Sequence, residues 1–586
     1  MVTREIEIGV PRVLKVDLAT GQVEVRKRPD LAFWLGGSGL GTKLLAEELV
    51  PDADAFDPDQ PIVFAIGPLT SAIPIVTKTS AHFKSPLTGE LGESHAGGRL
   101  AMALRFAGYD ALILKGQAKR PVYLQVSSND VRLRDATPIW GLASEETGRV
   151  LRDITMGHGG GKRSIIRIGP AGEARVRYAS VNVDTYRHFG RLGLGAVMGA
   201  KRLKAIIAGG DLSFPVKDVK RYNAAYGKVY DLATRSSAMQ KYHEVGTPVN
   251  VKPLNALGGL PPRNLQTATF EKADEIAGER FAQENLLRKY ACFGCPVGCI
   301  HIGLLRQEFA PGYEFRSSGV SYDFELIFAL GTILGVGDRM GVLDLIYDVE
   351  ELGLDAMSAG VVLAWLTEAQ ERELIPVDQV GFALAFGDVA GYQKALHQLA
   401  FGRNELWETA RRGTVALQAR YGGEFDLQLG GNEISGYHTG YGQIVGHTAG
   451  ARHSHLDNAG YSVDQSKPGL DPRELPDLLM KEEKERCVLT SLHACLFARK
   501  IFGDGELVRE SLGSLGIERT DEDLDSLGHE TLKLKYQLKK SMGWSMMDVR
   551  LPKRFFETPT PAGVLDEEKA RTALARYRER IEALVE

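Results

Sequence analysis

The spacing of apolar and polar positions changes character near residue 212. Before it, short runs of β-type residues alternate with turns. Arg12-Val13-Leu14-Lys15-Val16-Asp17-Leu18 and Gln22-Val23-Glu24-Val25 flank Ala19-Thr20-Gly21, which predicts a hairpin. Further β-rich runs lie at residues 61–66, 111–114 and 122–126. After it, apolar residues recur every three or four positions at 327–334, 343–352 and 359–369, the period of helices packed on a core. Asp471-Pro472 followed by Glu474 supplies the chemistry of a helix start, and the helix that follows is expected to carry Leu478, Leu479, Cys487 and Cys495. Residues 566–585 predict a closing amphipathic helix. Gly422-Gly423 and Gly430-Gly431 place a boundary between two helical regions at 400–430. The expected division is 1–211, 212–415 and 416–586, with no internal repeat or low-complexity tract.

Composition adds few constraints. Hydrophobic residues make up 44% and charged residues 25%, the balance of an ordinary globular protein. The 66 glycines are about one and a half times the usual share, which points to tight turns or to backbone lying close against a ligand. A net charge of −4 favours neither a nucleic-acid nor a membrane surface. The start, Met1-Val2-Thr3-Arg4-Glu5-Ile6-Glu7-Ile8, is charged and alternating, unlike a signal peptide. The longest nearly uncharged run, 326–337, is too short to span a bilayer. A cytoplasmic enzyme in a reducing compartment is expected.

The chemistry concentrates in the cysteines. The chain has five, and three fall within the eight residues Cys292-Phe293-Gly294-Cys295-Pro296-Val297-Gly298-Cys299. Soft thiolates at this spacing suit a metal, and the intervening Gly294, Pro296 and Gly298 allow a tight turn with backbone N–H groups free for sulfide. A [4Fe–4S] cluster is the reading preferred here, because zinc usually takes its ligands as two separated pairs. A disulfide is disfavoured without a secretory signature. The fourth ligand is Cys487 or Cys495.

Two other glycine-rich pieces stand out, Leu35-Gly36-Gly37-Ser38-Gly39-Leu40-Gly41 and His95-Ala96-Gly97-Gly98-Arg99. A third, residues 187–199, has glycines at Rossmann-like spacing but lacks the βα context and the acidic residue beyond it. Flanked by Arg187, Arg191, Lys201, Arg202 and Lys204, it reads better as backbone approaching a phosphate-bearing ligand.

Over almost its full length the chain resembles the tungsten-containing aldehyde:ferredoxin oxidoreductase family. The motifs that carry the resemblance include Ala65-Ile66-Gly67-Pro68-Leu69-Thr70, Lys84-Ser85-Pro86-Leu87-Thr88-Gly89, Phe106-Ala107-Gly108-Tyr109-Asp110 and Ile168-Gly169-Pro170-Ala171-Gly172-Glu173. Gly195-Ala196-Val197-Met198-Gly199-Ala200-Lys201, the cysteine stretch, Glu351-Leu352-Gly353-Leu354-Asp355 and Leu551-Pro552-Lys553-Arg554-Phe555 follow in the same order. The resemblance implies an α+β multidomain fold, in which an N-terminal β-rich domain forms the base of a bis-pterin tungsten site and two mainly α-helical domains cover it. It implies a Mg2+ ion bridging the pterin phosphates and a [4Fe–4S] cluster whose fourth ligand is Cys495. It also implies that the dithiolene sulfurs hold the tungsten, or molybdenum in its place, without a protein ligand.

Carried over residue by residue, the pterin contacts of the first domain fall on Lys78, His95, Gly97 and Arg187. Lys78 replaces an arginine and gives up bidentate geometry; His95 replaces an asparagine. The two acid-containing pterin motifs fall on Glu350 to Asp355 and on Thr490-Ser491-Leu492-His493-Ala494-Cys495. In the second, Thr490 replaces the acid and His493 the glycine. The family's catalytic glutamate and histidine fall on Glu325 and His455, with Glu314 as rival carboxylate. A carboxylate there can take a proton from water or a substrate hydrate, and an imidazole can donate to a carbonyl. The ExxH pair that holds an interface metal in some members is replaced by Asp344 and Tyr347, so that site is expected to be absent. The substrate loop also departs from the pattern, reading Gly436-Tyr437-His438-Thr439-Gly440-Tyr441.

The implied function is oxidation of an aldehyde to a carboxylic acid, or the reverse. Electrons would leave through the cluster to ferredoxin or a partner iron–sulfur subunit, in a homo- or hetero-oligomer. The alternative is a low-potential tungsten reductase acting on an aromatic or unsaturated acyl thioester as the catalytic subunit of a larger complex. A zinc-bound scaffold without catalysis is a third reading.

Overall fold

A computed structural model describes residues 5–158, 162–547 and 549–586. The first four residues of the charged N-terminal stretch lie outside the described residues. The predicted hairpin forms from Arg12–Asp17 (β1) and Val23–Lys27 (β2), paired antiparallel from Arg12↔Lys27 to Val16↔Val23. Gly21 closes its turn at φ 77°, donating its N–H to Asp17 O at 2.8 Å. That positive φ is why glycine stands there.

Ile62–Ile66 (β3), Thr79–Lys84 (β4), Leu91–Ala96 (β5) and Ala111–Lys115 (β6) complete a six-stranded sheet of order β2-β1-β6-β3-β4-β5. A second six-stranded sheet is built from Val122–Val126 (β7), Val131–Asp135 (β8), Arg163–Arg167 (β9), Val181–Val183 (β10), Arg187–Phe189 (β11) and Leu203–Gly209 (β12). Its order is β11-β10-β9-β12-β7-β8. Leu14, Phe64 and Leu112 of the first sheet share one core with Ile166, Phe189 and Ile206 of the second, and the Phe64 and Phe189 rings meet edge-on at 5.6 Å. Both sheets are therefore halves of one β-rich unit.

The helical periods downstream are realised as Phe324–Leu330, Arg339–Leu352 and Ala356–Glu371, and the tail as Glu567–Val585 with Asp566 at its N-cap. Ala356–Glu371 is apolar on nearly all sides and correspondingly buried on nearly all sides. The largest core runs from Ala171 to Ile581 and includes residues on both sides of 415, so the two helical regions share one interior.

Two differences from the sequence reading matter for the site. Within the region read as helical, Leu286–Tyr290 (β13), Ile300–Ala310 (β14) and Glu314–Tyr322 (β15) form a three-stranded antiparallel sheet. Its alternation is blurred because only the inner ends of β14 and β15 are buried and the tip projects with polar and charged residues. The helix predicted from Asp471 begins as a short 3-10 turn at Pro472–Glu474 and continues as Leu475–Leu492. It stops at His493, held at φ 60°, so Cys495 lies beyond the helix. Among the described residues no single helix is long and apolar enough to cross a membrane; one sharply bent pair, Phe324–Leu334 with Arg339–Leu352, passes by length and composition only.

Candidate active site and cluster pocket

Sheet register brings the first site residues together. Thr79 and Ala96 are partners at the end of the β4–β5 ladder, so Lys78 and Gly97, the next residues outward, lie side by side. A Cβ built on Gly97 would stand 3.3 Å from Lys78 Nζ, 3.4 Å from Arg187 Cδ and 2.6 Å from Cys292 Sγ. Three predicted residues thus meet around a fourth, a glycine that has no room for a side chain.

The cysteine loop docks on this edge by backbone hydrogen bonds. Phe293 N–H donates to Gly98 O at 3.1 Å, and Ile75 N–H donates to Gly294 O at 3.2 Å. Gly294 and Gly298 supply the positive φ angles, 76° and 63°, that fold the loop back on itself. Cys495 arrives on the other side of the same segment, its N–H bonded to Ile75 O at 3.2 Å. Close packing places it there: the carbonyl oxygens of Thr490 and Leu492 lie 2.1 and 2.0 Å from where Cβ atoms on Gly37 and Gly67 would be. Only glycine at those two positions lets the end of the Leu475–Leu492 helix reach the first domain.

Cys295 and Cys299 each lie within electrostatic reach of Cys292 and Cys495. Burial pushes the Cys295 thiol up to about 12 and the Cys299 thiol up to about 11, with neighbouring thiols adding to the rise. Burial opposes the Lys78 charge, but Cys495 and Cys292 beside it outweigh burial and raise its pKa. Cys487 is elsewhere, buried on the helix near Lys535 and Glu483, its thiol pushed up to about 12 by burial. Among the described residues no three His, Cys, Asp or Glu side chains converge closely enough for a single metal ion. A cubane, which spreads its ligands over four irons, asks for no such convergence.

The basic residues of the third glycine-rich piece divide. Lys201 donates to Pro58 O at 2.8 Å, Arg202 to Lys119 O, and Lys204 to Leu142 O at 3.0 Å and to Glu173, so these three serve the fold rather than a ligand. Gly199 packs backbone to backbone on Gly172, where a Cβ would lie 1.9 Å from the carbonyl oxygen. Arg187 and Arg191 remain at the site. Arg191 donates to Asp355 Oδ2 at 3.2 Å and to Glu433 O at 2.6 Å. Asp355 also caps the Ala356–Glu371 helix through Met357 N–H at 3.1 Å. Burial, with Glu351 alongside, pushes Glu350 up to about 8 against the pull of Arg187 and Arg167. His95 Nε2 lies 2.7 Å from Glu93 Oε1, and burial lowers its pKa. The Thr490 hydroxyl turns back to Arg486 O at 2.8 Å on its own helix.

Glu325 and His455 come from separate elements and meet. Asp323 caps the Phe324–Leu330 helix through Leu326 N–H at 3.1 Å, which puts Glu325 in the first turn. Ser454 and Asp457 form a capping box at the short helix His455–Asn458. His455 Nε2 lies 3.5 Å from Glu325 Oε1, and Tyr437 OH donates to the same oxygen at 3.4 Å. Burial lowers the His455 pKa, opposed by Glu325. Glu325 in turn adds to the burial that raises Asp323. The rival Glu314 sits exposed at the start of β15, at the projecting end of the sheet, away from any histidine of the site. His453 is engaged in a buried cluster, 2.9 Å from Glu90 Oε2 and 3.0 Å from Lys539 Nζ. Tyr437 enters the sequence reading only as part of the altered substrate loop, and Tyr461, which stacks on it at 4.2 Å, does not enter it. Glu325, Tyr437 and Tyr461 line a cavity of about 190 Å3.

Residues 13–210 match the model of the aldehyde ferredoxin oxidoreductase N-terminal domain, and residues 225–582 that of its domains 2 and 3. The chain belongs to the aldehyde ferredoxin oxidoreductase family. It is 31% identical over 581 residues to the tungsten-containing aldehyde ferredoxin oxidoreductase of Thermococcus kodakarensis, covering 94% of this chain and 92% of that protein. It is 33% identical over 402 residues to the WOR-like subunit of the aliphatic sulfonate oxidoreductase of Pyrococcus furiosus, covering 66% of this chain and 63% of that one. In fold it is similar to a chain of the active site complex BamBC of benzoyl coenzyme A reductase in complex with 1,5-dienoyl-CoA. The TM-score is 0.81 at 18% identity, over 97% of this chain and 94% of that one.

Membership makes the protein an oxidoreductase with an α+β fold, a β-rich unit followed by mainly helical regions. The side chains also fit an anionic cofactor beside the cysteines. Among the described residues neither Lys78 nor Arg187 has a carboxylate at ion-pair distance, although both are half-buried. Arg191 Nη1, Glu350 Oε1 and both ring nitrogens of His455 are buried without a hydrogen-bond partner. Polar atoms left this way at a buried site are the pattern of a ligand-binding pocket. At the expected interface-metal positions of the family, Asp344 accepts from Gln307 at 2.7 Å, and Tyr347 lies under the Arg316 guanidinium at 4.9 Å.

Proposed function

We propose that the protein is a tungsten bis-pterin oxidoreductase that oxidises an aldehyde to a carboxylic acid or runs the reverse. In it Cys292, Cys295, Cys299 and Cys495 would hold a [4Fe–4S] cluster, and a Mg2+ ion would accompany the pterin. The names of the curated relatives support tungsten and aldehyde. The observation that carries the reading is the meeting of Cys292, Lys78 and Arg187 around Gly97, with Cys495 tied to the same segment and Glu325, 3.5 Å from His455 Nε2, lining a cavity of about 190 Å3.

The reaction is RCHO + H2O → RCO2− + 3 H+ + 2 e−. The tungsten pterin, when bound, would supply two-electron chemistry, and a cluster held by the four cysteines would offer a one-electron outlet toward ferredoxin or an iron–sulfur partner subunit. Lys78 and Arg187 would hold pterin phosphate, and Gly97 admits the cofactor close to backbone. Glu325 takes the proton from water or the aldehyde hydrate. Tyr437 donates to one Glu325 oxygen and leaves the other free as base. Burial lowers the His455 pKa against the pull of Glu325, which it faces at 3.5 Å, so it can donate to a substrate oxygen or accept the proton from Glu325. Tyr437 and Tyr461 wall the cavity with aromatic surface and limit water.

Elemental analysis of anaerobically purified protein tests this first. Tungsten near one and iron near four per chain, with aldehyde-dependent dye reduction, is the expected result. Zinc in place of both metals overturns it. The expected metals with no aldehyde oxidised, a co-purifying subunit and reduction of an acyl thioester would move the assignment to the low-potential reductase.

A further inference from the structure

The short helix Gly460–Ser466 presents two faces with different tasks. Tyr461, Ser462 and Gln465 line the inner cavity with Glu325, whereas Val463, Asp464 and Lys467 line a separate cleft of about 840 Å3. Asp464 reaches the substrate loop from that outer side. Its Oδ2 accepts from Thr439 Oγ1 and from Gln443 N–H, both at 2.9 Å, and its Oδ1 from Gly442 N–H at 2.7 Å. The helix Tyr441–Ala449 starts after Gly440, which has no side chain to cap it. Asp464 therefore supplies, from another helix, the acceptor that the N–H groups of the first turn need. Glycine permits the approach: a Cβ on Gly440 would lie 2.9 Å from Asp464 Cγ, and one on Gly460 would lie 1.8 Å from Gly442 O.

A carboxylate is a costly choice for this place. Asp464 has no cation at ion-pair distance among the described residues, and burial pushes it up to about 6 against its three donors. Joining the two helices does not require it, because Gly442 and Gly460 already pack backbone to backbone. What the acid adds is the position of the loop between them. Three residues before Asp464 on the same helix, Tyr461 stacks on Tyr437 at 4.2 Å, and the Tyr437 hydroxyl donates to Glu325 Oε1 at 3.4 Å. One turn of helix thus holds the loop at both ends, at Tyr437 and at residues 439–443. The middle is fixed separately, by His438 N–H donating to Gly259 O at 3.0 Å and by His438 Nε2 lying 2.9 Å from Thr558 O.

We propose that Asp464 is a positioning residue for the catalytic carboxylate: by fixing residues 439–443 it holds the Tyr437 hydroxyl on Glu325 Oε1, and it acts from outside the inner cavity. The inference rests on the aldehyde reading above. A loop released at Asp464 lets Tyr437 leave Glu325, so the base loses its orientation while the cavity keeps the side chains that line it. The effect therefore belongs in kcat rather than in KM.

In the metal-loaded enzyme, Asp464→Asn is expected to lower kcat for aldehyde oxidation by about 10–100-fold, the cost of a small misplacement, with KM little changed. Thr439→Val, which removes one of the three hydrogen bonds, is expected to give a smaller fall, and Lys467→Gln, on the same outer cleft, none. In Tyr437→Phe enzyme, adding Asp464→Asn is expected to have little further effect. An unchanged kcat in Asp464→Asn, or an equal fall with and without the Tyr437 hydroxyl, overturns the proposal. Fluorine NMR with 3-fluorotyrosine in place of Tyr437 reads the same contact without turnover. The signal is expected to shift in Asp464→Asn and to stay in Lys467→Gln. That shift, in enzyme that oxidises no aldehyde, would uphold the clamp and refute the aldehyde reading. A signal that Asp464→Asn leaves in place would refute the clamp whatever the activity.

Discussion

Gly97 offers the sharpest perturbation of the cluster pocket. A Cβ there would lie 2.6 Å from Cys292 Sγ and 3.3 Å from Lys78 Nζ. Ordinary van der Waals contact begins near 3.4 Å and is wider for sulfur, so Gly97→Ala forces the sulfur and the backbone apart by about 1 Å. The Gly97 side cannot yield easily, because Ala96 before it is locked to Thr79 in the sheet. Lys78 is a flexible chain and can swing, but Cys292 would be tied to iron. Overpacking of this kind costs about 1–3 kcal/mol, and here it falls on one cluster ligand. Iron per chain, and the EPR spectrum of the dithionite-reduced protein, are expected to change in Gly97→Ala. The control is Gly190→Ala, whose Cβ would meet nothing within 4 Å. A Gly97→Ala protein with the iron content, EPR spectrum and cluster potential of wild type would refute the placement of a cluster against this glycine.

Cys495→Ser is expected to lose or alter the cluster, whereas Cys487→Ser keeps its iron and loses only stability; equal iron loss in both would contradict the geometry. Glu325→Gln should lower kcat by about 10²–10⁴ with tungsten and iron unchanged, the range for a lost general base, and a smaller effect would move that role elsewhere. Burial pushes His82 and His188 down to about 3 and His438 down to about 4. These groups stay neutral in the folded protein but protonate near pH 6.5 when unfolded, so stability is full above that pH and falls as pH drops. At pH 5 each costs about 2 kcal/mol, read as a smaller fall in stability between pH 7 and 5 in His438→Gln than in wild type, and an equal change in both proteins would refute this. Arg554 and Glu368 form a buried pair at 2.5 Å. Arg554→Met leaves Glu368 with Arg372 at 2.7 Å and Asn264 at 2.7 Å and should cost about 1–3 kcal/mol, part of it recovered when Glu368→Gln is added, as read by denaturant midpoints.

Legibility differed by element. The β1–β2 hairpin, the Arg339–Leu352 and Ala356–Glu371 helices and the C-terminal helix follow from period and cap residues alone, because each is decided by neighbours in the chain. The β14–β15 sheet hid because Arg306, Gln307, Glu308 and Arg316 mask its alternation where it projects into solvent. The end of the Leu475–Leu492 helix hid for a different reason. A left-handed stop is usually marked by glycine, and here it is occupied by His493, held by Nε2 lying 3.0 Å from Ala65 O and 3.2 Å from Ser80 Oγ. Both contacts are hundreds of residues away in sequence. No local pattern could place Cys495 outside the helix and Cys487 within it.

By itself the sequence determined the β-rich first region, the helical periods, the clustered thiols and, through motifs in order, the family. The tertiary structure decided which residues meet. It separated Cys495 from Cys487 and Glu325 from Glu314, gathered Lys78, Arg187 and Cys292 around Gly97, and turned Lys201, Arg202 and Lys204 to structural work. The physical reason is that period and capping are set over a few residues, whereas a pocket is set by how closely distant backbones can approach. In this chain Gly37, Gly67 and Gly97 permit that approach.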